Sequence, residues 1–168
     1  MQVRRPDGLK TPLERSIHLV VDLLPNSMSF RFVATIDTRS PAAVPRGFTG
    51  RVRVSGNGRL DQVMWFCEGQ LDNPEPRTPA YVKFRANGKP KQVRHYRQGR
   101  LHDPTLGQAA VEGFFADGSA KYREHYRYGR RHDFGHVPAI TKWRSDGSVR
   151  TEHHYYEGLR IEDVGLAV

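Results

Sequence analysis

Residues 114–133 read FFADGSAKYREHYRYGRRHD, and residues 84–103 read FRANGKPKQVRHYRQGRLHD, which is the same pattern 30 positions earlier. Each copy has an aromatic residue four positions before a glycine that follows Asn or Asp, and a second glycine 11 positions further on. These glycine pairs occur four times, at Gly58/Gly69, Gly88/Gly99, Gly118/Gly129 and Gly147/Gly158. A fixed period of this length is typical of repeat proteins, in which each unit buries its apolar face against its neighbours. The sequence therefore predicts four repeat units, at about 49–78, 79–108, 109–137 and 138–163.

The glycines and aromatic residues predict the turns and strands of each unit. Asn-Gly and Asp-Gly are preferred in type I′ hairpin turns, because both central residues need positive φ. The predicted turn residues are Asn57, Gly58, Asn87, Gly88, Asp117, Gly118, Asp146 and Gly147. Positions four before and eight after the first glycine are separated by an even number of residues, which places them on one face of a regular strand. The predicted core stripe is Val54, Phe66, Phe84, Tyr96, Phe114, Tyr126, Trp143 and Tyr155.

Residues 1–48 lack the repeat and are expected to form an N-terminal capping segment. The stretches 17–24 (IHLVVDLL) and 29–36 (SFRFVATI) are rich in β-branched and aromatic residues, and Pro25-Asn26-Ser27 separates them. This pattern predicts a β-hairpin, with a helix over Leu13–Leu24 as the alternative. Residues 40–47 are rich in Pro and Ala and are predicted to form a loop, and residues 164–168 form a C-terminal tail.

The fold expected from these elements is all-β. It is an elongated, twisted antiparallel sheet of four repeated β-hairpin units, capped by the N-terminal β segment. The Pro- and Gly-rich stretches 73–79, 103–107 and 133–138 are expected to be the loops that link the hairpins. An open sheet has two unpaired edges, so edge-to-edge homodimerisation is a possible assembly.

The aromatic residue, the Asn/Asp-Gly pair, the Tyr-x-x-Gly strand end and the basic exit together resemble the MORN-variant repeat family, the short β-hairpin units of bacterial antitoxin-type proteins of the YwqK kind. The resemblance covers Gly50 to Asp163 and is clearest at Phe84–Asp103 and Phe114–Asp133. In place of the glycine that usually follows the exit histidine, this chain has Asp103 and Asp133. The resemblance implies a hairpin-repeat fold and a binding function such as toxin neutralisation.

The basic composition has two interpretations: contact with an acidic partner, or a soluble basic surface that binds no polyanion. The chain of 168 residues has a net charge of +9 and an isoelectric point near 10.0, with 27% charged residues of both signs. Such a surface suits an acidic protein, nucleic acid or an anionic membrane. Cys67 is the single cysteine, so no intramolecular disulfide is possible, and a reducing, cytoplasmic location is expected. No stretch approaches the roughly 20 apolar residues of a membrane-spanning helix.

Histidines recur at fixed positions and could suggest a metal site or a catalytic dyad. Trp65, His95, His125 and His154 share one column, and His102-Asp103 is repeated as His132-Asp133. If each unit adds two strands, equivalent positions lie about 10 Å apart, which is too far for one ion whose ligands sit at about 2 Å. No nucleophile recurs in register with the His-Asp pairs, so the duplication favours a structural role in the exit turn. No metal, cofactor or catalytic residue is predicted.

Arginines interleave with aromatic residues in the strands, and this pattern identifies the candidate binding residues. The predicted function is a non-enzymatic protein-binding repeat module, an antitoxin- or immunity-type inhibitor or adaptor that occludes a partner protein. The alternative is a polyanion-binding module, for nucleic acid or anionic lipid, that uses phosphate contacts and base stacking. The chain lacks the motifs GxxxxGK[ST], CxxC, HExxH and GxSxG. The candidate partner-binding residues are Arg94, Arg97, Arg100, Arg123, Arg127, Arg130, Arg131, Tyr128 and Tyr156.

Overall fold

The computed structural model describes residues 16–23, 30–41, 44–105 and 107–164. Within these ranges the protein is all-β and contains no α-helix, as the sequence predicts. A short 3-10 helix at Ile161–Val164 follows the last strand. The strands are β1 (Ser16–Leu23), β2 (Phe30–Thr38), β3 (Gly50–Gly56), β4 (Arg59–Cys67), β5 (Gln70–Leu71), β6 (Tyr81–Phe84), β7 (Pro90–Arg94), β8 (Tyr96–Arg97), β9 (Arg100–Leu101), β10 (Val111–Phe114), β11 (Ala120–Glu124), β12 (Tyr126–Arg127), β13 (Arg130–Arg131), β14 (Ile140–Trp143), β15 (Val149–His153), β16 (Tyr155–Tyr156) and β17 (Leu159–Arg160).

The main sheet is open and follows the order β1-β2-β3-β4-β6-β7-β10-β11-β14-β15, with β5 paired to β4. Consecutive long hairpins lie side by side, as expected for stacked repeat units. One junction departs from the predicted antiparallel sheet: β2 and β3 are parallel, from Thr35 opposite Arg51 to Thr38 opposite Val54. The connection 39–49 causes this, because it carries the chain back to the end of the sheet at which β2 begins. Among the described strands, β1 and β15 are the edges of this sheet, and edge-to-edge dimerisation stays a prediction.

The N-terminal segment is a hairpin, as the sequence predicts. β1 and β2 pair antiparallel, from Ser16 opposite Asp37 to Leu23 opposite Phe30. The alternative helix is therefore wrong over the strand 16–23. The remainder of that helix, the Pro25-Asn26-Ser27 turn and most of the C-terminal tail lie outside the described residues.

The predicted type I′ turn is present at only one of the four Asn/Asp-Gly pairs. Asn57 and Gly58 both have positive φ, at 51° and 73°. In the other three pairs only the glycine does. In the second unit, Gly88 N–H donates to Arg85 O at 3.0 Å and Arg85 N–H donates to Lys89 O at 2.9 Å, beside a register shift in the hairpin. This is a three-residue loop, in which a type I turn precedes a left-handed glycine, so Asn or Asp keeps negative φ.

The other type I′ turns are the four that contain the second glycine of each unit. Glu68, Gln98, Tyr128 and Glu157 have φ between 48° and 51°, and the glycine after each also has positive φ. This turn closes a short hairpin, β8–β9, β12–β13 or β16–β17, that leaves the main sheet after the histidine column. The glycine N–H of each turn donates to the preceding unit, as Gly99 does to Leu71 O (2.9 Å), Gly129 to Leu101 O (2.7 Å) and Gly158 to Arg131 O (2.8 Å). We call β5 and these three hairpins, with their turns, the short-hairpin ribbon.

The buried core differs in composition along the repeat array. Near the N-terminus it is aliphatic and consists of Ile36, Val52, Val54 and Met64. In the later units the buried positions are alanines, His95 and His125, with Val111 and Ile140. Of the predicted core stripe, Val54 is buried and the other seven residues are half-buried. The even-spacing argument breaks down because a bulge follows each first turn and the strand pairing is interrupted at the histidine.

Candidate functional site

The duplicated histidines and aspartates join neighbouring repeat units rather than pairing within one unit. Asp103 Oδ1 accepts hydrogen bonds from the backbone N–H groups of Ala110 (2.8 Å) and Tyr126 (2.9 Å). Its Oδ2 accepts from His125 Nδ1 at 2.6 Å. The side chain of Asp103 is 16% exposed and that of His125 is 4% exposed. One carboxylate therefore satisfies three donors of the next unit, and we call this arrangement the inter-unit clamp.

The same clamp occurs at the two other junctions between repeat units. Asp133 accepts from the N–H groups of Ala139 and Tyr155, both at 2.8 Å, and from His154 Nδ1 at 2.6 Å. At the first junction Asn73 replaces the aspartate and accepts from the N–H groups of Ala80 and Tyr96, both at 3.0 Å.

The first clamp is uncharged. Asn73 uses Oδ1 for the two backbone groups, so its Nδ2 donates to His95 Nδ1 at 3.0 Å. The amide of Gln108 lies 3.2 Å from the other ring nitrogen. Burial lowers the pKa of His95 to about 4, against a smaller opposing effect of Asp103. His95 is therefore neutral at physiological pH and acts as a hydrogen-bonded core residue.

The exit histidines hold the left-handed turns of the following unit. His102 Nδ1 accepts from Tyr128 N–H, and His132 Nδ1 accepts from Glu157 N–H, both at 3.2 Å. The His102 ring lies 4.5 Å from that of Tyr128. The pKa of His102 is lowered, chiefly by burial and then by Arg97, with Asp103 opposing and Arg127 adding to the shift. In the first unit Thr49 Oγ1 takes the place of the exit histidine and accepts from Glu68 N–H at 2.8 Å.

Six of the nine candidate binding residues gather on the short-hairpin ribbon and are exposed: Arg97, Arg100, Arg127, Arg130, Tyr128 and Tyr156. Arg97 lies directly opposite Arg100 across β8 and β9, and Arg127 lies opposite Arg130 across β12 and β13. The ribbon thus carries two cross-strand arginine pairs in successive units.

The other three candidates are not part of this exposed group. Arg131 belongs to β13 of the ribbon, but it is half-buried between Tyr126 (5.7 Å) and Tyr155 (5.6 Å) and pairs with Glu124 at 3.4 Å. The Tyr126 hydroxyl donates to Glu124, and burial, followed by that carboxylate, raises its pKa to about 12. The half-buried guanidinium of Arg94 lies 5.2 Å from the Tyr81 ring.

Arg123 is exposed, but it lies on the main sheet, where it pairs with Glu112 at 3.1 Å and sits 5.6 Å from the Trp143 ring.

Between the exit loops of neighbouring units lie shallow hollows. One of about 250 Å³ is lined by His102, Tyr126, Arg127, His132 and Phe134, together with the clamp residues Asp103 and Asp133. The carboxylates there already accept the donors described above. In the part of the chain that the structure describes, no group of three or more His, Cys, Asp or Glu side chains could hold a metal ion.

The inter-unit clamp was missed by the sequence reasoning, although its signal is present. The clamp residue precedes its histidine by 22 positions in Asn73/His95 and Asp103/His125, and by 21 in Asp133/His154. The adjacency of His102 and Asp103 suggested that they interact with each other. Instead, Asp103 accepts from His125 and His102 accepts from the N–H of Tyr128, both in the next unit.

The chain matches no family model, no curated protein and no solved structure in comparisons with known proteins. The resemblance to MORN-variant repeats therefore stays a prediction from the residues. Within the described ranges, no helix has the length and apolar character needed to cross a membrane.

Proposed function

We propose that this protein is a non-enzymatic binding module that holds an acidic protein partner against its short-hairpin ribbon. The observation that carries the proposal is the row of exposed guanidinium groups on Arg97, Arg100, Arg127 and Arg130, interleaved with exposed Tyr128 and Tyr156. Arginine and tyrosine are enriched in protein interfaces, where they supply multiple hydrogen bonds and large contact areas.

The histidines and aspartates support a binding function rather than catalysis. The clamp carboxylates of Asp103 and Asp133 each accept three donors, and His102 and His132 accept backbone N–H groups. These side chains are engaged in holding the array together. An inhibitor that occludes the active surface of its partner, as the MORN-variant resemblance implies, is the form of this function that we favour. The single, exposed Cys67 supports a reducing cytoplasm as its setting.

A polyanion is the competing partner, and the net charge of +9 favours it. Binding to nucleic acid or anionic lipid is governed by total charge and falls steeply with salt. Binding to one protein depends on the location of the charges. Two variants with the same change in net charge, one altered on the ribbon and one altered on other surfaces, therefore distinguish the two kinds of partner.

The experiment compares two variants with the same charge change. The ribbon variant replaces Arg97, Arg100, Arg127 and Arg130 by Gln, and the control variant replaces exposed Arg59, Lys91, Lys142 and Arg150 by Gln. Each tagged protein captures partners from its native lysate, with and without nuclease treatment. We expect one stoichiometric acidic protein with the wild type and the control variant, and its loss with the ribbon variant. Equal loss with both variants, or loss on nuclease treatment, would refute the proposal in favour of a polyanion.

A further inference from the structure

The two arginine pairs of the short-hairpin ribbon occupy equivalent positions in their hairpins, but the side chains around them differ. In the third unit, Glu157 of the following turn lies 3.8 Å from Arg127 and 3.7 Å from Arg130. His132 Nδ1 lies 3.5 Å from the same carboxylate, but it accepts the Glu157 N–H and therefore does not donate to the carboxylate. The protein thus contains one occupied carboxylate seat, which consists of two opposed arginines.

The equivalent seat one unit earlier contains no carboxylate. It consists of Arg97 and Arg100, and the position that corresponds to Glu157 is Tyr128. Arg97 lies 5.9 Å from the Tyr128 ring. Among the described residues, neither Arg97 nor Arg100 has a carboxylate within 4.0 Å.

Like charges directly opposite each other on paired strands repel, so a counter-charge between them is stabilising. The third unit supplies that counter-charge from within the chain. The second unit leaves two exposed guanidinium groups side by side, with the Tyr128 ring beside them as an apolar surface. Burial is the main cause of the lowered pKa of His102, and the charges of Arg97 and Arg127 lower it further while Asp103 opposes them. Asp72 and Glu75 line a hollow that also includes Arg97, but they belong to the preceding exit loop and lie beyond ion-pair distance.

We propose that Arg97, Arg100 and Tyr128 form a vacant carboxylate seat that takes a Glu or Asp side chain of the partner protein. The ligand carboxylate lies against the two guanidinium groups, beside the Tyr128 ring, which itself stands at the position of Glu157. Two arginines can donate charge-assisted hydrogen bonds to one carboxylate, and the aromatic ring packs against its methylene groups. This inference rests on the proposed function and names the chemistry of the contact.

The repeat itself supplies the variants for the test. The turn position is Glu in the first and fourth units, Gln in the second and Tyr in the third, always with φ near 50°. Tyr128→Glu therefore fills the seat from within, as Glu157 does, in a conformation that Glu already adopts at this turn. Tyr128→Gln is the matched neutral control. Glu157→Gln opens the second seat, at Arg127 and Arg130.

The probe is a fluorescein-labelled peptide of alternating Glu and Gly, titrated by fluorescence anisotropy, with the Gln-Gly peptide and a labelled oligo-dT strand in parallel. We expect Tyr128→Glu to bind the Glu-Gly peptide about tenfold more weakly than Tyr128→Gln, which corresponds to the loss of about one charge-assisted contact. Glu157→Gln should bind more tightly than the wild type, or with a second site. Circular dichroism melting shows whether each variant is folded.

The opposite outcomes are as informative. Equal peptide binding by Tyr128→Glu and Tyr128→Gln would overturn the vacant seat, and so would a wild type that prefers oligo-dT to the acidic peptide. If the seat fails while the four-arginine ribbon variant still loses its protein partner, the proposed function stands and only the position of the contact is wrong.

Discussion

Replacing Asp103 by alanine tests whether the inter-unit clamp holds the repeat array together. The substitution removes the acceptor of three donors: the N–H groups of Ala110 and Tyr126 and the Nδ1–H of His125. Ala110 is 0% exposed and His125 is 3% exposed, so water cannot readily replace the lost carboxylate. A buried donor left without a partner costs about 1–3 kcal/mol, and the effects of neighbouring groups are not additive.

We therefore expect Asp103→Ala to lower the free energy of unfolding by about 3–5 kcal/mol, a large part of the roughly 5–15 kcal/mol that a domain has. The assay is urea denaturation followed by circular dichroism. The slope m is compared as well, because a change in m would show that units separate and unfold independently.

Asp103→Asn is the matched control, because it reproduces the clamp that Asn73 and His95 already form. The asparagine keeps an oxygen for the two backbone groups, and its Nδ2 faces a histidine that changes tautomer. We expect a loss of only about 1 kcal/mol. A loss below about 1 kcal/mol for Asp103→Ala, or equal losses for the two variants, would refute the clamp as a stabilising contact.

Two further predictions concern buried groups. Because the pKa of His95 is about 4 in the folded protein and near 6.5 when unfolded, its contribution to stability is complete above pH 6.5 and is lost as the pH falls toward 4. The wild type should lose about 2 kcal/mol through this group between pH 7 and pH 5, and His95→Gln should lose correspondingly less; equal pH slopes in urea denaturation would contradict this. Gly113→Ala would place a methyl group against the Tyr122 ring, so we expect a loss of about 1–3 kcal/mol by overpacking. The loss should shrink in a Tyr122→Ala background, and thermal melting of both pairs checks the coupling.

Sequence patterns were sufficient to predict the all-β class, the hairpins and the N-terminal β segment. Those features follow from local chemistry, since Gly58 and its equivalents mark turns and the stretches between them have strand composition. The turn geometry did not follow, because Asn-Gly can occupy either a type I′ turn or the end of a three-residue loop. The register of the paired strands decides between them: Gly56 lies opposite Arg59 in the first unit, whereas the last pair before the turn in the second unit is Phe84 opposite Pro90.

The candidate site was predicted only in part, for a related reason. The arginines were identified because they interleave with aromatic residues in the repeats. The sequence does not show that Arg97, Arg100, Arg127 and Arg130 share one exposed surface while Arg131 lies between two tyrosines. That division depends on the short hairpins leaving the main sheet after the histidine column. The histidine contacts were missed because each partner lies in the preceding unit, 21 or 22 residues away.

In the turn of the short hairpin, the backbone makes the contacts that stabilise the fold, and the side chain is available to contact a partner. All four turn positions adopt the same left-handed conformation, and His102, His132 and Thr49 hold three of them through backbone N–H groups. These hydrogen bonds use only the backbone N–H of the turn residue. The identity of its side chain is therefore not determined by the fold, and Glu, Gln and Tyr all occur there. What that side chain does determine is the charge next to the arginine pair of the preceding unit. One substitution at such a turn can therefore open or close a carboxylate seat without rebuilding the repeat.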